Sequence, residues 1–296
     1  MVLAVLLIIL ALLSMPFAIM LVRSALAGGT IVPRLEALTL GAVTNFFDTL
    51  GIGSLAPTMA WIKFRALVPD RLIPATMLTG YALPTAAQSA IFLVLLGVNI
   101  DPILLLCCIL AFAAGSALGV PLVAKLPLRY VQMIVGLALL VAAALYAMAN
   151  LDLMPLGGSA TTLAPPWFFV AIAAHLAMGI LLNFGIGNYA PTLIMLSLMG
   201  MDPRLAFPIM ATAGAVGILT VGVRYVGTPQ LDIRIVLGLV LGGIPAVLVA
   251  AFLVKEMPIE MLRWLIVAVV TYAATLMLRS SLRPDEAAAY RRGDSD

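Results

Sequence analysis

The residues in this chain best placed to do chemistry sit in two copies of one short block. Gly51-Ile52-Gly53-Ser54-Leu55-Ala56-Pro57-Thr58 returns 134 positions later as Gly185-Ile186-Gly187-Asn188-Tyr189-Ala190-Pro191-Thr192, with six of the eight residues identical. Glycine reaches backbone conformations closed to other residues, serine and asparagine favour helix N-caps, and proline is tolerated in a first helical turn. Each block therefore reads as the end of one helix and the start of another. A helix that starts inside a membrane presents N–H groups that no earlier turn satisfies, at the positive end of its dipole, and that is a place for an anion. The candidate chamber takes Gly51, Gly53, Ser54 and Thr58 from the first block and Gly185, Gly187, Asn188 and Thr192 from the second. Asn45, Thr49 and Asn183 stand behind them. Neither block contains lysine or arginine, so backbone donors would hold an anion weakly enough to release it.

Two titratable residues fall near these blocks. Asp48 is an acid inside an apolar run, an expensive placement that makes it a candidate proton carrier; the plainer alternative is a position near the membrane interface. His175 is the only histidine, a proton-relay candidate by its ordinary titration range, although a lone intramembrane histidine more often bonds a neighbouring helix. Ser54 with His175 as base would make an intramembrane serine hydrolase. Against that reading, the repeat partner of Ser54 is Asn188, so the duplicated features belong to the backbone and not to catalytic side chains. No His-Glu-x-x-His or nucleotide-binding Gly-x-x-x-x-Gly-Lys motif occurs, so an enzyme, a metal and a cofactor are not expected. Cys107 and Cys108 are adjacent in an apolar run and read as packing residues. Thr76, Thr79, Gln88 and Thr212 either line a path or bond backbone carbonyls.

The elements that must position these residues are membrane spans. Hydrophobic residues make up 64% of the chain and charged residues 10%, and the mean hydropathy is +1.19. A soluble domain carries about 25% charged residues and cannot hide this much apolar surface. The chain is expected to be an all-α, multi-pass protein of the cell membrane, whose partners are the lipid bilayer and a small anionic substrate. The sixteen scattered basic residues make no nucleic-acid stripe, and a homo-oligomer is left open. The apolar runs predict an N-terminal span and loop over 1–35, a first repeat over 36–149, a linker over 150–165, a second repeat over 166–281 and a charged cytoplasmic tail over 282–296. Within the repeats the runs 54–66 and 188–200 are too short to span. Each is read with the run before it as a broken helix pair, followed by three full spans.

An odd number of spans inverts the second repeat. Thirteen of the 16 lysines and arginines then gather on one side and only Arg204, Lys255 and Arg263 on the other, whereas parallel repeats split them evenly. The positive-inside bias therefore favours inverted repeats, a plan found in secondary transporters, whose sites form at paired helix breaks.

At Phe46-Phe47-Asp48-Thr49-Leu50-Gly51-Ile52-Gly53 the chain resembles the sulfite exporter TauE/SafE family, also called the 4-toluene sulfonate uptake permeases. The likeness continues through Pro69, Pro74-Ala75-Thr76, Gly97, Asp101, Gly115, Gly119 and Leu126-Pro127, and starts again at Phe184-Gly185-Ile186-Gly187. Family members usually carry a more glycine-rich break with an aspartate shortly before it. Asp48 matches that aspartate, but Leu182 stands in its place in the second repeat, and Ser54 and Asn188 replace glycines. The resemblance implies a permease or exporter of small sulfur-containing or organic anions such as sulfite or sulfonates. An anion channel built on the same breaks is the alternative.

Overall fold

The computed structural model describes residues 2–29, 32–51, 53–96, 99–122, 128–151, 153, 158–183 and 186–282. Gly185, Ile52, Gly97, Pro127, Phe184, part of the linker and all but the first residue of the tail lie outside the described residues. Eleven α-helices follow one another among the described residues: α1 (Val2–Ala27), α2 (Leu35–Thr49), α3 (Leu55–Phe64), α4 (Ile73–Leu95), α5 (Pro102–Leu122), α6 (Leu128–Asn150), α7 (Trp167–Leu182), α8 (Tyr189–Leu198), α9 (Pro203–Gly222), α10 (Ile233–Glu256) and α11 (Ile259–Ser281). Among the described residues the only extended pairing is an isolated bridge between Ala160 and Met201. Six helices among the described residues are long and apolar enough to cross a membrane: α1, α4, α5, α9, α10 and α11. Their outer faces are apolar too, with Leu12, Ile103 and Val249 each more than 60% exposed, which suits a surface bathed in hydrocarbon rather than water. This is a polytopic helical membrane protein.

The helix series α2–α6 and α7–α11 match element for element in order and in the place of the short member. Their packing is reciprocal: α2 lies on α10 while α7 lies on α5, and α4 and α6 pack on α9 and α11. Glycines set the two closest approaches. A Cβ on Gly242 would fall 2.0 Å from the Leu38 carbonyl oxygen, and one on Gly115 2.0 Å from that of Leu176, so only hydrogen fits at either crossing. Contacts advance in the same direction along both helices of each pair, from Ala37–Gly238 to Asn45–Gly243 and from Gly115–Leu176 to Gly119–Asn183, so these pairs run parallel. In contrast α4 and α9 run antiparallel: Leu78 meets Gly222, Thr85 meets Gly214, Ser89 bonds Thr212 and Phe92 stacks on Phe207.

The first broken pair closes back on its starting side. Arg65, just past α3, donates from Nε to Glu36 near the start of α2 at 2.8 Å, and the Trp61 indole donates to the same carboxylate at 3.1 Å. α2 and α3 therefore form a hairpin whose bend lies at Gly51–Ser54. The Arg34 amide bonds the Arg234 carbonyl at 3.4 Å, which puts the start of α10 at that same end of the bundle. At the opposite end, linker residue Ala160 pairs with Gly200 and Asp202, and Thr161 accepts from the Asp101 amide.

Candidate functional site

The breaks fall where the glycine blocks predict, between Thr49 and Leu55 and between Leu182 and Tyr189. Gly51 and Gly53 have φ of +98° and +84°, a conformation that penalises any side chain, and this reverses the chain without a long loop. The first break lies near α8. A Cβ on Gly51 would stand 3.0 Å from Leu193 on α8, and the Tyr189 side chain comes within electrostatic range of Asp48. Both Gly53 and Gly187 are half-buried, yet a Cβ on either would meet nothing within 4 Å. Each bend therefore borders space.

Ser54 and Asn188 occupy the N-cap positions of α3 and α8, but neither side chain caps its helix. The Asn188 amide nitrogen donates instead to the Met210 carbonyl on α9 at 2.9 Å. In the first break the capping is done by Asp48, whose Oδ1 accepts the Ser54 N–H at 2.7 Å. Asp48 is buried and forms no ion pair among the described residues, so the helix start is its main electrostatic partner. The matching position in the second repeat is Leu182, also buried. No acceptor among the described residues takes the N–H of Asn188, Tyr189 or Ala190 at the start of α8, and Pro191 has none to offer. Among the described residues, the contrast therefore lies at the N-cap amide: a carboxylate answers that of Ser54 and nothing answers that of Asn188, while the next amides of both helices have no acceptor there.

Around Asp48 lies a buried polar cluster. The Tyr81 hydroxyl bonds both Thr44 and Thr58, and Ser54 lies within reach of it. Tyr189 donates to Gln88 Oε1 at 2.9 Å, while Gln88 Nε2 is buried without a partner. Neither tyrosine stood out in the sequence; the available signal was a phenol hydroxyl inside an apolar run, which needs a hydrogen-bond partner when buried. Thr49 is satisfied by the Asn45 carbonyl of its own helix at 2.8 Å. Asn45 donates to the Gly41 carbonyl at 2.8 Å and packs on Gly243, with Oδ1 left unpaired. Thr192 turns to the Met178 sulfur at 3.4 Å.

Of two further predicted members, one points elsewhere and one is held by its own helix. Asn183 donates to the Ser116 carbonyl at 3.0 Å and packs on Gly119, so it belongs to the α5–α7 crossing and not to the chamber. His175 bonds the Ala171 carbonyl one turn back through Nδ1 at 2.8 Å, and Nε2 is buried without a partner. Neither atom of His175 reaches Ser54. The periodicity could not show this, because which way a helix face turns depends on the helix packed against it.

Beside the second bend, a cleft of about 510 Å³ runs between α6, α7 and α8. Its lining passes from Ile186, Gly187 and Pro191 to Trp167, Leu198 and Met199 and is mostly apolar. Among the described residues no group of three or more His, Cys, Asp or Glu could hold a metal ion. Compared with family models, with curated proteins and with solved structures, the chain finds no match.

Proposed function

We propose that the chain is a carrier of small oxyanions across the cell membrane, sulfur-containing or organic, such as sulfite or sulfonates, working as a secondary transporter coupled to protons through Asp48. One observation carries this reading. At the start of α3 an internal carboxylate sits on the N-cap amide, and at the start of α8 a leucine replaces it and the Asn188 amide has no acceptor among the described residues. The first bend displays the chemistry that such a helix start accepts, and the second leaves that place for a solute. A buried N–H without a partner costs about 1–3 kcal/mol, a cost that an arriving oxyanion removes.

The antiparallel pairing of α4 with α9 and the reciprocal packing of α2 and α7 support reading the halves as inverted repeats. The resemblance to the TauE/SafE permeases supplies the substrate class. The test is uptake of radiolabelled sulfite, a sulfonate and a carboxylate into proteoliposomes under two opposite pH gradients. Saturable, gradient-dependent uptake of one of them with counterflow is expected. Non-saturable flux without counterflow would mean a channel, and Asp48→Asn with unchanged transport and pH dependence would remove the proposed proton carrier.

A further inference from the structure

At the end of the bundle away from Arg34 and Arg234, two arginines share one neighbourhood, and among the described residues no carboxylate comes within ion-pair distance of either guanidinium. Arg204, in the first turn of α9, donates from one terminal nitrogen to the Met257 carbonyl at 2.9 Å, and its Nε is buried without a partner. Arg263, on α11, makes no hydrogen bond or ion pair among the described residues, and its Nε is likewise buried and unpaired. One of its terminal nitrogens lies against Gly158 of the linker, where a Cβ would stand 3.4 Å away. The same Cβ would be 3.9 Å from the Met201 carbonyl, three residues before Arg204. Arg263 and Asp202 both act through the field on Tyr146, and one turn beyond it on α6 is Asn150, whose amide oxygen and nitrogen are both buried with no partner. Asp202 is the acid at this place, and its Oδ1 is engaged by the Arg204 backbone N–H at 2.9 Å.

A half-buried guanidinium with its donors idle is costly, and the usual remedy is an acid that forks onto it. Among the described residues none forks onto either guanidinium, and Asp202 is turned to the Arg204 backbone N–H instead. The arginines also have no counterparts in the first half, where the matching positions are Asp70 and Gln132. We propose that Arg204, Arg263 and Asn150 form an anion-binding site at this mouth of the bundle, separate from the chamber at the bends and suited to a compact divalent or monovalent oxyanion. The planar guanidinium of Arg263 offers two parallel N–H groups to two oxygens, Arg204 adds a donor from α9, and the Asn150 amide adds one from α6. The site gathers the three elements α6, α9 and α11 and the linker around one charge. Its role as a loading or release station rests on the transport reading; its existence as a binding site does not.

The test uses the full chain in detergent and radiolabelled sulfate at low ionic strength, measured by equilibrium dialysis. Binding is expected in the wild type, weakened at least tenfold by Arg263→Gln and by Arg204→Gln, and partly kept by Arg263→Lys, which retains charge but loses the fork. Leu182→Asp, which fills the chamber, should leave this binding in place, so failure of the mouth and failure of the chamber give different results. Asn150→Asp serves as a second probe should either arginine variant not fold, and its added negative charge should abolish binding. Sulfate binding by Arg263→Gln and Arg204→Gln at wild-type strength, or none by the wild type, would overturn the proposal.

Discussion

Leu182→Asp puts into the second bend the carboxylate that Asp48 supplies to the first. Leu182 is buried and ends α7, six residues before Asn188, the same spacing that lets Asp48 reach the Ser54 amide at 2.7 Å. If the start of α8 is an anion site, the new carboxylate becomes a tethered competitor. A substrate anion must then give up or displace one charge-assisted hydrogen bond, about 1.5–3 kcal/mol, which corresponds to a rise in KM of roughly 10- to 150-fold. Like-charge repulsion adds to this. Stability supplies an independent reading. Removing a buried leucine side chain costs about 2–5 kcal/mol, and a buried carboxylate with no donor costs several more, whereas the amides of Asn188 and Tyr189 would offset much of that second cost. Leu182→Asp should therefore melt close to Leu182→Ala, within about 4 °C, since 1 kcal/mol moves the midpoint by about 2–4 °C in a chain of this class. Initial rates of anion flux in proteoliposomes give KM, and thermal unfolding in detergent gives the midpoint. A Leu182→Asp protein that transports with wild-type KM, or one that melts far below Leu182→Ala, would refute the claim that these amides stand free.

Three further outcomes follow from the geometry. Gly115→Ala and Gly242→Ala push a methyl to 2.0 Å from a carbonyl oxygen and should each destabilise by about 1–3 kcal/mol or more, while Gly187→Ala, with nothing within 4 Å, should melt like the wild type in the same thermal assay. Asp101 accepts from Thr162 at 2.6 Å and from the Ile103 amide at 2.8 Å, and the threonine hydroxyl chiefly holds its carboxyl below the ordinary range. The folded protein then binds that proton less readily than the unfolded chain, so the contribution is present above about pH 4 and disappears as pH falls through the folded value; Thr162→Val should flatten the melting temperature's fall below about pH 4. Tyr189→Phe leaves both ends of Gln88 unpaired and should cost about 1–3 kcal/mol, whereas Tyr189→Phe with Gln88→Leu should recover most of it, a comparison read from a double-mutant cycle of melting midpoints.

Much of this protein was legible in one dimension. Apolar runs of about 20 residues set the spans, because hydrocarbon thickness fixes a length and leaves no partner for an exposed backbone. The repeated Gly-Ile-Gly block placed both breaks, and in the first Gly51 and Gly53 adopt a positive φ that glycine reaches without steric cost. The direction of side chains was another matter. Nothing in the spacing told that Asp48 rather than Ser54 would answer the first free amide of α3, or that Asn183 would turn to α5 and His175 to a carbonyl of its own helix. Those outcomes depend on which helix lies opposite, and here the helix opposite comes from the other half of the chain: α5 beside α7, α10 beside α2. Sequence pattern fixes periods along a helix, while the rotation of that helix about its axis is chosen by long-range packing, such as the glycine crossings at Gly115 and Gly242. The meeting of Arg204 with Arg263 across three helices and a linker was likewise decided by tertiary structure, for the same reason.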